Sequence, residues 1–308
     1  MTIRVGINGF GRIGRSVFRI LADRPEAEVV CITDLFENEH LAYLLEYDSV
    51  MGPFGRKVTF DDETMVVDGR SSRMTAERDP AEIPWGELGV DVVIEATGVF
   101  RSREKLERHL AGGAKKVILT VPPKDEVDRM IVMGVNEAQL EAGDRIVSNA
   151  SCTTNCLAPI ARILDEAFGI EEGFVSTVHA YTNDQRLADV PHKDLRRARS
   201  AMLSLQPTTT GSATAIALIY PELKGKLNGH AVRAPVLNAS LTDCVLELNR
   251  PTTEAEVNEM FAAAARGPLA GILGYTTEEL VSSDFIGDRH SSIVDSKLTQ
   301  VIGDQLIS

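Results

Sequence analysis

Apolar and polar positions alternate from Ile3 to Ile7, and the chain then turns through Gly9-Phe10-Gly11-Arg12-Ile13-Gly14 into a helical spacing carried by Val17, Phe18, Ile20 and Leu21. That order predicts a strand, a tight turn and a helix. Short, nearly continuous apolar runs follow at Val29–Ile32, Val92–Ile94, Val117–Leu119, Ile131–Met133 and Ile146–Val147, with helical stretches between them. Such strands belong in a parallel sheet covered on both faces, so residues 1–150 are expected to form a doubly wound α/β domain. After residue 150 the texture changes. Longer, half-exposed strands are expected at Phe174–His179, Ala231–Val236 and Thr242–Leu248, which suggests an α+β domain over 151–308. The stretch 180–210 is polar and rich in arginine, too long for an idle connection.

The length of 308 residues agrees with two domains. A formal net charge of −13 repels nucleic acid and anionic membrane surfaces, so an anionic substrate would need a local cluster of donors. The opening residues run straight into a strand pattern, without the charged-then-apolar order of a signal peptide. Nor is any apolar run long enough to span a membrane. Cysteines at 31, 152, 156 and 244 have no paired spacing, which fits free thiols in a reducing compartment. A cytoplasmic protein without a metal site is expected.

Glycines 9, 11 and 14 match the dinucleotide fingerprint: one for a tight turn, one for close approach to a pyrophosphate, one for helix-to-strand packing. The pyrophosphate would sit on the start of the following helix. Asp34 stands twenty residues beyond Gly14, at the end of the next strand, where a carboxylate accepts both ribose hydroxyls of NAD and repels the 2′-phosphate of NADP. NAD is therefore the expected cofactor.

Ser151-Cys152-Thr153 follows a strand and opens a helix, with Ser151 or Thr153 placed to cap it. The unpaired amides of a first turn acidify a thiol there. The rival reading of a cysteine, as a small buried hydrophobe, suits Cys156.

The run Ala150-Ser151-Cys152-Thr153-Thr154-Asn155-Cys156-Leu157-Ala158-Pro159 resembles the signature of glyceraldehyde-3-phosphate dehydrogenases. So do Ile7 to Arg15, His179-Ala180-Tyr181-Thr182, Pro221 to Leu227 and Ser291 to Asp295. The resemblance implies Cys152 as nucleophile and His179 as its base. It implies Ser151, Thr153, Thr182, Arg197, Thr210, Gly211 and Arg233 as donors to the substrate phosphate and the attacking inorganic phosphate, with Arg196 and Arg199 the neighbours with which Arg197 is most easily confused. On the cofactor side it implies Gly9, Gly11, Arg12, Ile13, Gly14, Asp34, Arg78 and Thr120, with Pro191 in the loop that accompanies NAD preference. His40, His109, His192, His230 and His290 are expected to be ordinary surface or core residues. A homotetramer, with the 180–205 loop reaching a neighbour, is the family's arrangement.

Two stretches depart from the usual glycolytic wording. Gly211 to Ile216 and Gly229 to Ser240 resemble a variant branch associated with arsenic-resistance operons, where arsenate replaces phosphate as acyl acceptor. Family chains also continue through an Asn-Glu-Trp-Gly-Tyr segment that supplies an asparagine to the nicotinamide and a helix that returns to the cofactor domain, whereas this sequence stops at Leu306-Ile307-Ser308. The expectation is a longer natural polypeptide, or a form that binds NAD weakly. The resemblance implies oxidation of glyceraldehyde 3-phosphate to 1,3-bisphosphoglycerate. The alternatives are a different phosphorylated aldose such as erythrose 4-phosphate, arsenate as acceptor, or a non-enzymatic paralogue that keeps only the scaffold.

Overall fold

A computed structural model describes residues 2–308, and the first strand, β1 (Ile3–Asn8), shows how the opening of the chain acts. Its inner positions are buried, and Gly6 is glycine because a Cβ there would lie 2.3 Å from the Trp85 ring. The chain forms two compact units, Met1–Ile131 with Gln139–Ala150, and Val132–Ala138 with Ser151–Ser308.

The first unit contains β2 (Ala27–Thr33), β3 (Val58–Phe60), β4 (Thr64–Val67), β5 (Arg70–Thr75), β6 (Val92–Glu95), β7 (Lys116–Leu119), β8 (Arg129–Met130) and β9 (Ile146–Ser148), with helices α1 (Arg12–Leu21), α2 (Asn38–Glu46) and α3 (Arg103–Ala111). The sheet order is β3-β4-β5-β2-β1-β6-β7-β9-β8. All pairings from β5 to β8 are parallel, and β3, β4 and β5 form an antiparallel edge. This is a doubly wound sheet. Its order reverses at β1, which lies between β2 and β6, and ligands of such sheets bind beyond the carboxyl ends of the strands at that reversal. Ile7, Phe10, Ile32, Leu45 and Met65 fill one part of the core, and Trp85 with Val93 another.

The second unit carries α4 (Cys152–Phe168), β10 (Ile170–Ala180), β11 (Gln206–Thr209), α5 (Ser212–Ile219), β12 (Leu227–Ala234), β13 (Ser240–Leu248), α6 (Glu254–Arg266), β14 (Leu273–Thr276), β15 (Ser292–Asp295), β16 (Val301–Ile302) and β17 (Leu306–Ile307). Its mixed sheet runs β11-β12-β10-β13-β17-β16, and β14 pairs with β15 alone. Helices α4 and α5 pack on each other and on this sheet. Along β10, Val175 and Thr177 turn inward, while Phe174 and Val178 stay exposed opposite Val245 and Leu241 of β13.

Three sequence expectations shift. The apolar run Ile131–Met133 is not a strand: the ladder ends at Met130, the Ile131 amide makes one last bond to the Ser148 carbonyl, and Gly134 turns the chain with φ +81°. Val132 is buried through packing in the second unit rather than in a sheet, a distinction that an apolar run does not encode. The strand expected over 231–236 stops at Ala234, because Pro235 has no amide to donate. Most of 180–210 is irregular, as read, but its end pairs with β12 as β11.

Candidate active site

The three fingerprint glycines are glycines for three different reasons. Gly9 has φ +89°, and an added Cβ would lie 2.8 Å from the amide of Thr97. A Cβ on Gly14 would lie 2.1 Å from the Gly9 carbonyl oxygen, so this glycine lets α1 pack against the turn. Gly11 faces open space. It caps α1 without any side-chain hydrogen bond, leaving the first-turn amides without a side-chain acceptor and the positive end of the helix dipole unopposed. Asp34 stands beside this turn: its Oδ2 accepts from the Phe10 amide at 2.7 Å and its Oδ1 from the Phe36 amide at 3.3 Å, which leaves lone pairs for further donors. The Phe10 carbonyl accepts from buried Arg15 at 2.8 Å, so the loop is held from both sides. A glycine where a Cβ would intrude, an uncapped helix start and a carboxylate at the next strand end fit a dinucleotide's pyrophosphate and ribose.

The other cofactor-side residues are placed as follows. Arg12 heads α1, and its guanidinium pairs with Asp48 at 3.2 Å. Burial pushes the Asp48 carboxyl up, but the amides of Met51 and Val50 together with Arg12 outweigh it and leave it below the usual range. Ile13 is exposed on the first turn, and Arg78 is exposed beyond β5. The Thr120 amide and hydroxyl both donate to the Glu95 carbonyl, at 3.1 and 3.0 Å. Sequence reasoning missed Arg15, Asp48 and Glu95, which the fold brings to the Phe10 carbonyl, to Arg12 and to Asn8.

The chain enters α4 of the second unit from buried Ala150, the last residue of the first, at φ +60°, a left-handed conformation that costs an alanine roughly 1–2 kcal/mol and is characteristic of functional turns. Ser151 is the cap: its Oγ accepts from the Thr154 amide at 3.1 Å. Cys152 is thereby the first helical residue, and solvent reaches it. Its Sγ lies 3.2 Å from Nε2 of His179, which comes from the end of β10. Surrounding protein pushes this thiol up, but the hydrogen bond and charge of His179, with the amide and hydroxyl of Thr153, prevail and leave it below the ordinary thiol range.

Cys156, one turn on, goes the other way. Burial raises it against hydrogen bonds with Ser292 and Thr242. The same helix therefore holds one thiol below and one above the ordinary range.

His179 is oriented by its other nitrogen. Nδ1 lies 2.6 Å from the Ala180 carbonyl oxygen, which can only accept; a proton on Nδ1 satisfies that contact and turns Nε2 to the thiol. Arg233 Nη1 donates to the same carbonyl at 3.0 Å and stands 2.9 Å from Nδ1. Burial lowers the Arg233 pKa, and the like charge of Arg197 lowers it further. Of the three neighbouring arginines, Arg197 is the one directed here: it pairs with Asp184 and donates to Thr208 Oγ1 at 2.9 Å. Arg196 instead reaches the Pro207 carbonyl, and Arg199 pairs with Asp189. Thr182 follows β10, where its amide donates to Gln185, and Thr210 with Gly211 forms the start of α5. Exposed Pro191 precedes His192, whose Nδ1 accepts from the Asp194 amide at 2.9 Å and whose Nε2 is 3.6 Å from Asp184. Asp184 and His192, which nothing in the sequence singled out, thus anchor Arg197.

Comparison with known proteins agrees with this geometry. Residues 3–103 match the family described as glyceraldehyde 3-phosphate dehydrogenase, NAD binding domain, and residues 151–308 match its C-terminal domain. The chain is 55% identical over 304 residues to glyceraldehyde-3-phosphate dehydrogenase of Streptomyces coelicolor, covering 98% of this chain and 90% of that one. It is 53% identical over 308 residues to that of Geobacillus stearothermophilus, and 51% identical over 308 residues to glyceraldehyde-3-phosphate dehydrogenase 1 of Bacillus subtilis, in each case covering 100% of this chain and 92% of the relative. With a dinucleotide cradle in one unit, a helix-start thiol beside an oriented imidazole in the other, and both family domains matched, the chain belongs to the glyceraldehyde-3-phosphate dehydrogenase family.

Proposed function

We propose that the chain oxidises glyceraldehyde 3-phosphate, with NAD and inorganic phosphate, to 1,3-bisphosphoglycerate. The observation that carries this reading is the 3.2 Å contact between the Sγ of Cys152, the first residue of α4, and His179 Nε2. The Cys152 thiolate, its proton held at His179 Nε2, adds to the aldehyde carbon; the C–S bond forms, the C=O π pair moves to oxygen, and that oxygen takes the proton from Nε2 to give the hemithioacetal. NAD, held by Gly9, Gly11, Arg12, Ile13, Gly14 and Asp34 with Arg78 and Thr120 beyond them, supplies the acceptor for the hydride that leaves this carbon. His179 takes the hydroxyl proton at Nε2 as the thioester forms. A phosphate oxygen then attacks the thioester carbonyl and the thiolate leaves, restoring the enzyme.

Arg233, Thr182 and Arg197, together with Ser151, Thr153, Thr210 and Gly211, are the donors for the two anions. An anion at Arg197 shares that guanidinium with Asp184, which five N–H donors in a fork permit. On this reading 1–150 serves the cofactor and 151–308 the chemistry.

A homotetramer is part of the same reading, supported by the exposed apolar sheet face at Phe174, Val178, Leu241 and Val245 and by exposed Leu187, Leu195, Leu203 and Leu205 in the arginine-rich stretch. The native mass in solution measures it. A cytoplasmic location also belongs to the proposal, and no helix among the described residues is long and apolar enough to cross a membrane.

The decisive assay follows NADH formation from glyceraldehyde 3-phosphate with phosphate, with arsenate and with neither acceptor, and repeats it with erythrose 4-phosphate. Sustained turnover that depends on phosphate supports the reading. No NADH from glyceraldehyde 3-phosphate with either acceptor refutes it, and faster turnover of the four-carbon aldehyde replaces the substrate.

A further inference from the structure

Beneath the glycine loop lies a buried carboxylate that the reaction does not use. Glu95 ends β6, directly opposite Asn8 at the end of β1, and both Glu95 and His109 of α3 are fully buried. Glu95 Oε2 accepts from Asn8 Nδ2 at 2.5 Å and lies 3.0 Å from His109 Nε2, while Oε1 accepts from the amide of Thr97 at 2.8 Å and from its hydroxyl at 2.5 Å. Every one of these partners can donate, and the ring of His109 directs its hydrogen bonding at Glu95, because Nδ1 has no partner among the described residues.

The placement of these donors is what matters. Asn8 immediately precedes Gly9, and Thr97 is the residue against whose amide Gly9 packs. The carboxylate therefore ties together the two backbones that fix the left-handed turn, while Asp34 and Arg15 fix Phe10 one residue later. A polar cluster used only for stability is readily replaced by apolar side chains of similar volume, so a fully satisfied carboxylate at this point asks for another explanation.

We propose that Glu95, oriented by His109, is a positioning residue for NAD: by fixing Asn8 and Thr97 around Gly9 it sets the direction of the first-turn amides of α1 that receive the pyrophosphate. The proposal rests on the NAD reading above. The preorganised loop lowers the ordering cost of binding without touching the ligand.

The test is calorimetric titration of the full chain with NAD, alongside the KM for NAD, the kcat at saturating NAD, the rate of Cys152 alkylation by iodoacetamide and the melting temperature. Glu95→Gln presents an amide nitrogen to donors and is expected to weaken NAD about tenfold or more, the loss typical of hydrogen bonds to a charged group. The KM for NAD should rise in parallel, with kcat and alkylation within about twofold, since the chemistry is untouched. His109→Gln can still donate to the carboxylate and should keep nearly normal affinity, whereas His109→Leu should lose affinity as Glu95→Gln does. Wild-type affinity in Glu95→Gln, equal affinities in the two His109 variants, or losses that simply follow the melting temperature would overturn the proposal. If Glu95→Gln does not fold, the His109 pair decides alone. Failure of the unaltered protein to bind NAD would remove the NAD reading itself, and this proposal with it.

Discussion

Helices α1 and α4 each begin after a three-residue turn from a strand end, and they begin differently. Helix α1 is capped by Gly11, which offers no side chain and faces open space; helix α4 is capped by Ser151, whose hydroxyl closes on the Thr154 amide, and carries Cys152 as its first residue. Both starts present unpaired amides and a positive dipole end. On the proposed reading α1 keeps that potential for a ligand's anion, while in α4 the chain supplies the anion itself, as the Cys152 thiolate. One physical device, with a change at the cap and the next residue, would then serve binding in one unit and nucleophilic chemistry in the other.

Removing the internal anion should have the largest effect. Cys152→Ser is expected to lose turnover by on the order of 10⁴-fold or more, as when a covalent nucleophile is removed, with NAD binding retained. NADH assays and NAD titration measure the two separately, and loss of NAD binding would show that the helix start itself had failed. His179→Asn comes next, with a fall in kcat of about 10²–10⁴-fold. Because the imidazole is what holds the Cys152 thiol below the ordinary range, this variant should also move the pH at which alkylation rises to higher values, so that at neutral pH less thiolate is present and iodoacetamide reacts more slowly. Identical alkylation profiles in the two proteins would restrict His179 to orientation.

On the α1 side the expected change is smaller. Asp34→Ala removes the acceptor of the Phe10 amide and of the ribose together, and should weaken NAD by about tenfold, typical of charged hydrogen bonds, while relatively favouring NADP. Ser151→Ala deletes the α4 cap and should lower stability by about 1 kcal/mol in a denaturant titration. Cys156→Ser should change least: that thiol is half-buried, raised and outside the proposed reaction, so activity persists and alkylation still goes to Cys152. Comparable inactivation by Cys156→Ser would break the contrast between the two thiols.

What the sequence made legible follows the same division. Spacing picked out the three glycines and Asp34 and narrowed the α4 cap to Ser151 or Thr153, of which the structure uses Ser151, because each depends on neighbours close in the chain or on strand-turn-helix order. His179 and the anion-binding set entered through resemblance. The structure adds that Arg197 is the neighbour whose charge bears on Arg233, and that Asp184, with His192 3.6 Å from it, holds Arg197. Those residues read as ordinary polar positions because their meaning lies in contacts across an irregular loop. Glu95 and His109 were invisible for a related reason: Asn8 and Glu95 meet through parallel strands far apart in sequence, and a buried acid looks like any strand-end carboxylate. The apolar run at 131–133 misled in the opposite sense, since apolarity reports burial but not which element provides it.

The short excursion of residues 132–138 bears on how the protein is made. Gly134 lies against Leu269 and Ile272, and the carbonyls of Gly134 and Val135 accept from Arg162. During synthesis on the ribosome this segment emerges long before Leu269 and Ile272 exist, so it must wait, apolar Val132 included, until more than a hundred further residues have been made. The second unit thus closes around a piece of polypeptide laid down early, and neither unit corresponds to a single cut of the gene.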